Sequence, residues 1–166
     1  MFDSSIFRAY DIRGVVGETL TPTFARHFGR AYAQNLKSLG LSSVVVGYDG
    51  RLHSPMLAEA LRLGLAEGGL KVLDIGVGPT PMTYFATQDT GASSGIMVTG
   101  SHNPPEYNGF KCVVGGQSFY GDALRALHPL MNPATPASET GDITSVTLRE
   151  RYVQGLLGAT HLGRME

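Results

Sequence analysis

The sequence predicts an α/β fold in three layers, with helices on both faces of a central sheet. Apolar residues recur at helical spacing in successive segments. Short apolar, β-branched runs alternate with those segments. Each run opens into a loop that holds a chemically capable residue. This alternation implies parallel βαβ units with helices on either side of the sheet.

Residues 6–16 read as extended, with a turn near Asp11 to Gly14. Thr21-Pro22 opens a helix, with a capping hydroxyl followed by proline at the first helical position. Phe24, Phe28, Ala31, Tyr32, Leu36 and Leu39 give its apolar stripe, and Gly40 stops it. Ser43 to Gly47 suits a buried strand. Ser54-Pro55 opens a second helix along Leu57, Leu61 and Leu65, closed by Gly68-Gly69. Lys71 to Ile75 is the next strand, and Thr80-Pro81 opens a third helix through Tyr84 and Phe85. Ser94 to Val98 and Gly109 to Val114 are the third and fourth strands. The gap between them, about ten residues, is too short for a helical crossover, so the fourth strand is antiparallel. Gly121 to Met131 reads as a helix.

Residues 132–142 are rich in turn formers and read as a linker. A short strand-like run, Ile143 to Val146, extends it to residue 146. Thr147 and Glu150 then stand at capping-box spacing. Leu148, Tyr152, Val153 and Leu156 give the last helix an apolar stripe. That stripe is expected to pack back on the preceding domain, to pair with another chain, or to fray.

Composition narrows the function. At 166 residues the chain is long enough for one domain with a sizeable core. A net charge of −1 and only 16% charged residues leave no electrostatic footprint for nucleic acid or an anionic membrane. The first residues lack the pattern of a signal peptide. No apolar run approaches the ~20 residues of a membrane span. A cytoplasmic location is the default expectation. The single cysteine, Cys112, lies in an apolar strand pattern and reads as a buried, inert thiol. His27, His53, His128 and His161 show no metal-ligand spacing.

The chemistry concentrates in Thr99-Gly100-Ser101-His102-Asn103-Pro104-Pro105-Glu106-Tyr107-Asn108-Gly109-Phe110-Lys111. A serine is presented on a stiff turn between two apolar runs. Gly100 lets a substrate approach the chain closely. Pro104 and Pro105 fix their own φ and push Asn103 out of the helical region. Serine is a weak nucleophile and needs a base or a strongly electrophilic partner. His102 adjoins it in sequence, which is not read as a Ser-His dyad, and no G-x-S-x-G elbow surrounds it. Lys111 offers a cation for an anionic group such as phosphate. The pattern and the motif place Ser101 beyond the carboxyl end of one strand, and Asp49 and Arg51 beyond another, where open α/β sheets bind ligands.

This serine loop resembles the active-serine loop of the α-D-phosphohexomutases, in particular the phosphomannomutase/phosphoglucomutase branch. Phe7-Arg8-Ala9-Tyr10-Asp11-Ile12-Arg13-Gly14 is similar to that family's opening signature. Val46-Gly47-Tyr48-Asp49-Gly50-Arg51 and Gly78-Pro79-Thr80-Pro81 also match, in the family's order. Tyr48 departs from the pattern, because the family often carries arginine there. The resemblance implies a mixed four-stranded sheet of order 2-1-3-4. It covers the first of the family's four domains, here residues 1–131. Residues 147–166 would then be the start of a second domain.

The resemblance also implies phosphoryl transfer between the 1- and 6-positions of a hexose phosphate through a bisphosphate. Ser101 would carry the phosphoryl group, and a Mg²⁺ would bind its phosphate oxygen. The remaining metal ligands would come from later domains, since no D-x-D-x-D cluster occurs here. Arg13 and Lys111 would be the cations that face the phosphate and help proton transfer. Tyr10 would contact the substrate. His102 and Asn103 would shape the loop and contact its phosphate. Asp49 and Arg51 rank lower, as a structural ion pair. A hexose 1,6-bisphosphate would act as activator, and the fragment alone is expected to be inactive as a mutase. Two other readings stay open: a stand-alone sugar-phosphate-binding module, and an interaction fragment with idle motifs.

Overall fold

The protein is described from a computed structural model, which defines residues 2–131 and 139–159. The elements run β1 (Ile12–Val15), α1 (Pro22–Ser38), β2 (Ser43–Tyr48), α2 (Ser54–Glu67), β3 (Lys71–Val77), α3 (Thr80–Asp89) and β4 (Gly95–Val98). They continue β5 (Tyr107–Val114), β6 (Gln117–Phe119), α4 (Gly121–Arg125), β7 (Ile143–Ser145) and α5 (Arg149–Ala159). Short 3₁₀ turns cover Ser4–Ile6 and His128–Met131.

The sheet is mixed. β2 pairs in parallel with β3 and β4, and β4 pairs antiparallel with β5. The expected order and the antiparallel fourth strand therefore form the centre of the sheet, as β3-β2-β4-β5. The sheet is larger than four strands, however, with seven among the described residues. β1 adds antiparallel to β5, β6 pairs with β5 as well, and β7 adds parallel to β3. These additions are three or four residues long, too short to register as periodicity. β7 lies inside the segment expected to be a linker. Residues 132–138 of that segment lie outside the described residues.

Strand alternation sorts the apolar residues onto two faces. Val44, Val46, Val72, Ile96, Val98 and Phe110 meet α1 and α2. Val45, Leu73 and Ile75 meet Met82 and Ala86 of α3. The Thr21 hydroxyl caps α1, accepting from the Phe24 N–H at 3.1 Å. Phe24, Phe28 and Tyr32 then stack along its inner face at 6.1 and 6.0 Å, and Phe28 meets Phe110 at 5.4 Å. Burying each such ring contributes roughly 1.5–3 kcal/mol. The Tyr32 hydroxyl is satisfied by the Val113 carbonyl at 2.6 Å, and burial pushes its acidity well down, keeping it neutral. α1 and α2 touch backbone to backbone at Gly64, where a Cβ would stand 2.0 Å from the Arg26 carbonyl oxygen.

The helix expected over 121–131 is broken into α4 and a 3₁₀ turn. Pro129 explains the break, since it lacks an N–H and disfavours helical geometry at His128. α5 starts at Arg149, so Thr147 is not its cap. The Tyr152 N–H bonds the Leu148 carbonyl at 2.9 Å, and Leu148 itself is buried against the α3 face. α5 does pack back on the domain, through Phe85 against Tyr152 at 5.6 Å and Arg151 with Asp89 at 2.9 Å.

Candidate active site

β2 and β4 are parallel neighbours, so their carboxyl ends bring residues 49–51 and 99–101 together. Asp49 is the hub of this edge. Its Oδ2 accepts from the Thr99 hydroxyl at 2.9 Å and the Gly100 N–H at 3.0 Å. Its Oδ1 accepts from the Ser54 hydroxyl at 2.5 Å and the Arg51 N–H at 3.1 Å. Burial pushes the Asp49 carboxyl up, but these four hydrogen bonds outweigh it and hold the group below the usual carboxylate range.

Arg51 braces the serine loop from beneath. Its Nη1 donates to the carbonyls of Pro104 at 2.7 Å and Tyr107 at 3.0 Å. Its Nη2 donates to those of Asn103 at 2.6 Å and Ser101 at 3.2 Å. The planar five-donor fork suits this task, which a lysine could not perform. The fork occupies the space a side chain at 100 would need, since a Cβ on Gly100 would lie 2.1 Å from Arg51 Nε. His53 ties down the next residue. Its Nε2 stands 3.0 Å from the Pro105 carbonyl and its Nδ1 2.9 Å from Asn108 Nδ2. A carbonyl can only accept, so Nε2 carries the proton and Nδ1 accepts.

Held this way, Ser101 adopts φ +51°, uncommon for a residue with a side chain. Its N–H donates to the Thr99 hydroxyl at 2.9 Å. The residue is exposed, and its Oγ stands 3.3 Å from His102 Nδ1, also exposed. Among the described residues nothing orients the far nitrogen of that ring, so the pair lacks the third member of a triad. Asn103 turns inward and donates to the Gly100 carbonyl at 2.8 Å, a loop-shaping role.

The two expected cations meet through strand pairing. Arg13 lies opposite Gly109 in the β1–β5 register, which sets Lys111 diagonally across on the same face. Both reach Asp11 Oδ2, Arg13 Nη2 at 3.0 Å and Lys111 Nζ at 3.4 Å. Asp11 is 6% exposed and its Oδ1 has no partner among the described residues. Sequence reasoning missed Asp11, although an acid two residues before Arg13 in an extended run shares its face. β5 is paired with β4 along one side and with β1, then β6, along the other, and Lys111 stands at the gap between those last two. Cys112 behind it is buried, and burial first, then the Asp11 charge, pushes its thiol far up.

A cavity of about 530 Å³ is lined by Arg8, Tyr10, Asp11, Arg13, Asn103, Pro104 and Tyr107. It joins the opening strand to the foot of the serine loop. Arg8, also missed from sequence, lines it. Ser101 and Lys111 do not. Tyr10 is 76% exposed, which excludes a core role. A larger cavity of about 640 Å³ lies elsewhere, between the end of β3 and α5.

Among the described residues no three His, Cys, Asp or Glu side chains converge as metal ligands. Asp49, the carboxylate that holds the loop, has both oxygens committed to hydrogen bonds. The residues around Ser101 therefore do not form a metal site by themselves. No helix among them is long and apolar enough to cross a membrane.

A model of the domain family described as phosphoglucomutase/phosphomannomutase, alpha/beta/alpha domain I, matches residues 4–132, more than half of the chain. A phosphomannomutase/phosphoglucomutase of Pseudomonas aeruginosa is 46% identical over 149 residues, covering 90% of this chain and 32% of that protein. A phosphoglucomutase of Neisseria gonorrhoeae is 41% identical over 161 residues, covering 96% of this chain and 35% of that protein. A crystal structure of a phosphoglucomutase/phosphomannomutase family protein from Burkholderia thailandensis superimposes with a TM-score of 0.91 at 41% identity, over 99% of this chain and 38% of that one. The chain thus spans about a third of the length of the curated relatives it matches.

Proposed function

Because the chain belongs to the phosphoglucomutase/phosphomannomutase family, as its alpha/beta/alpha domain I, we propose that it carries the phosphoserine of a hexose-phosphate mutase. Ser101 is the phosphoryl carrier. The observation behind this reading is an exposed serine hydroxyl on a braced turn, at the carboxyl edge of parallel strands.

In the forward half-reaction a sugar hydroxyl oxygen attacks the phosphorus of phosphorylated Ser101. The new O–P bond forms as the Oγ–P bond breaks, and the hydroxyl proton passes to the freed Ser101 Oγ. The product is a hexose bisphosphate. After it turns over, Ser101 Oγ attacks the other phosphate, the bond from that phosphorus to the sugar oxygen breaks, the serine proton passes to that oxygen, and the phosphoserine is restored. Such transfers rest on positioning and on balancing charge on the phosphoryl oxygens. Arg13 and Lys111 supply the positive charge, and Asp11 holds them on one side of the cleft. Arg51 and Asp49 fix the turn that aims the hydroxyl. A Mg²⁺ held on the phosphate of Ser101 would supply further charge neutralisation there, and the residues around Ser101 do not complete its ligand set by themselves. Complete mutase turnover would need, beside this domain, counterparts of the rest of the longer relatives, of which this chain spans about a third.

The test is incubation with a hexose 1,6-bisphosphate and Mg²⁺, followed by intact mass. A gain of one phosphate, lost in Ser101→Ala, supports the carrier reading. Saturable binding without a mass gain points instead to a sugar-phosphate-binding module.

A further inference from the structure

A line of hydrogen bonds runs from Asp49 through Ser54, Asn108 and His53 to the Pro105 carbonyl. The Ser54 hydroxyl donates to Asp49 Oδ1 at 2.5 Å. Asn108 Nδ2 stands 2.8 Å from Ser54 Oγ and 2.9 Å from His53 Nδ1. His53 Nε2 stands 3.0 Å from the Pro105 oxygen. Arg51 holds the carbonyls of Ser101, Asn103, Pro104 and Tyr107, and His53 holds the one between them that Arg51 leaves.

Both ends of the line are obligate acceptors, a carboxylate and a carbonyl, which fixes every proton between them. The Ser54 proton points at Asp49, so Ser54 Oγ can only accept from Asn108. Asn108 Nδ2 has two hydrogens, one for Ser54 and one for His53. Its amide cannot be turned over, because Oδ1 accepts from the Gly109 N–H at 2.8 Å. The neutral ring, with its proton on Nε2, therefore fills every position. A second proton, on Nδ1, would face the Asn108 N–H, donor against donor. Ser54 and Asn108 are fully buried and cannot turn to water to relieve this. The half-buried ring has to swing outward, toward the cavity of about 440 Å³ that it lines with Arg51 and Pro105. That swing gives up the Pro105 carbonyl.

The charged groups around His53 do not act in its place. Arg51 is a permanent cation. Hydrogen bonds hold Asp49 below the usual carboxylate range, so its end of the line stays ionised. The first turn of α2 has no acid, and β5 meets the ring through the neutral Asn108. His102 and Glu106 of the serine loop are exposed. Histidine is the side chain that ordinarily changes charge between about pH 5 and 8.

We propose that His53 is a positioning residue for Ser101, a latch that holds the Pro105 end of the serine loop when neutral and releases it in mild acid. The proposal goes beyond the carrier reading and rests on it only for what Ser101 does. The latch itself is measured without phosphoryl transfer.

The intact chain is studied by NMR. At about pH 8 the ring nitrogen shifts of His53 give the Nε2–H tautomer. The Asn103 and Tyr107 N–H groups bond the Gly100 and Pro104 carbonyls and report on the loop. Their exchange protection, corrected for intrinsic rates, falls about tenfold between about pH 8 and pH 5.5. These two readouts need no variant. His53→Gln, with a donor and an acceptor at every pH, removes the fall, and His102→Gln keeps it. Ser101 phosphate gain from a hexose 1,6-bisphosphate is read as the ratio of wild type to His53→Gln, which cancels the titration of the donor. That ratio falls about threefold or more over the same range. An Nδ1–H tautomer, protection independent of pH in wild type, the same fall in His53→Gln, or its loss in His102→Gln overturns the latch. A flat rate ratio beside a loss of protection overturns its part in the reaction. If Ser101 gains no phosphate while protection follows His53, the carrier reading falls and the latch stands.

Discussion

Two carboxylates in this molecule each lie between two cations, and they behave as opposites. Glu67, at the end of α2, accepts from Arg26 Nε with both oxygens, at 2.9 and 3.1 Å, and from Arg30 Nε at 2.6 Å. Hydrogen bonds from Arg26, then from Arg30, overcome partial burial and bring its pKa down to about 2. Every acceptor there is used, and α1 is clamped to α2. Asp11 is more deeply buried, yet both its cations crowd one oxygen and the other is unpartnered. Arg13 gives Asp11 one nitrogen, and its other donors have no protein partner among the described residues. A closed cluster of charges holds structure together. An open one leaves donors directed at a cleft, which is what an anion-handling site requires.

The comparison predicts that changes on the clamped side move stability, and changes on the open side move chemistry. The largest stability effect is expected at Gly64, where α1 and α2 are in backbone contact. Gly64→Ala forces a methyl group into the Arg26 carbonyl and should lower unfolding free energy by about 3 kcal/mol. Urea denaturation reads this directly, and a midpoint equal to wild type would show that the helices separate freely.

Glu67→Gln comes next. The folded pKa of about 2 lies below the ordinary value of 4.5, so the carboxylate stabilises the fold fully above pH 4.5. That contribution is lost as pH falls toward 2. With Arg26 about half exposed, solvent screening reduces it to roughly 2 kcal/mol at neutral pH. The variant should be weaker at pH 7 and show a flatter loss of stability between pH 4.5 and 2. An unchanged acid limb would remove Glu67 as the cause.

Arg51→Lys tests a bridge between the two behaviours. Arg51 is a closed charge that serves the open site. A lysine cannot reach four carbonyls, so about 1.5 kcal/mol of stability should be lost. Hydrogen exchange should quicken over residues 99–107, and phosphorylation of Ser101 should slow. Protected exchange in that loop would mean that Asp49 alone holds it.

Local patterns made much of this legible. The Thr21-Pro22 start, the α1 stripe and the alternating strands all follow from spacing within one element. The Ser101 loop stood out for the same reason. What was missed depends on contacts between distant segments. Arg51 read as a partner of Asp49, yet Nε–Oδ2 is 3.7 Å and its strong bonds go to carbonyls some fifty residues away. Asp11 was read as part of a turn and of the opening signature, and its link to Lys111 arises only when β1 pairs with β5. β1, β6 and β7 are too short to show a period, and their stability comes from the sheet they join.

Asp11→Asn should have the smallest effect on stability and a large one on chemistry. The amide oxygen can still accept from Arg13 or Lys111. Both cations are about one-third exposed, so water replaces much of the lost attraction. The unpartnered buried oxygen becomes an amide nitrogen equally without a partner, so that cost carries over. The neutral side chain loses less on burial than the carboxylate, and the net change is expected within about 1 kcal/mol. Phosphoryl transfer has no such compensation. Without the carboxylate, Arg13 and Lys111 repel one another across the β1–β5 pair, and the cleft loses the geometry proposed to meet a phosphate. The rate of Ser101 phosphorylation should fall by about tenfold or more, equivalent to about 1.4 kcal/mol in the barrier. A variant as active as wild type would make Asp11 a mere filler. A variant that unfolds would place it with Glu67, as a clamp rather than a tuner.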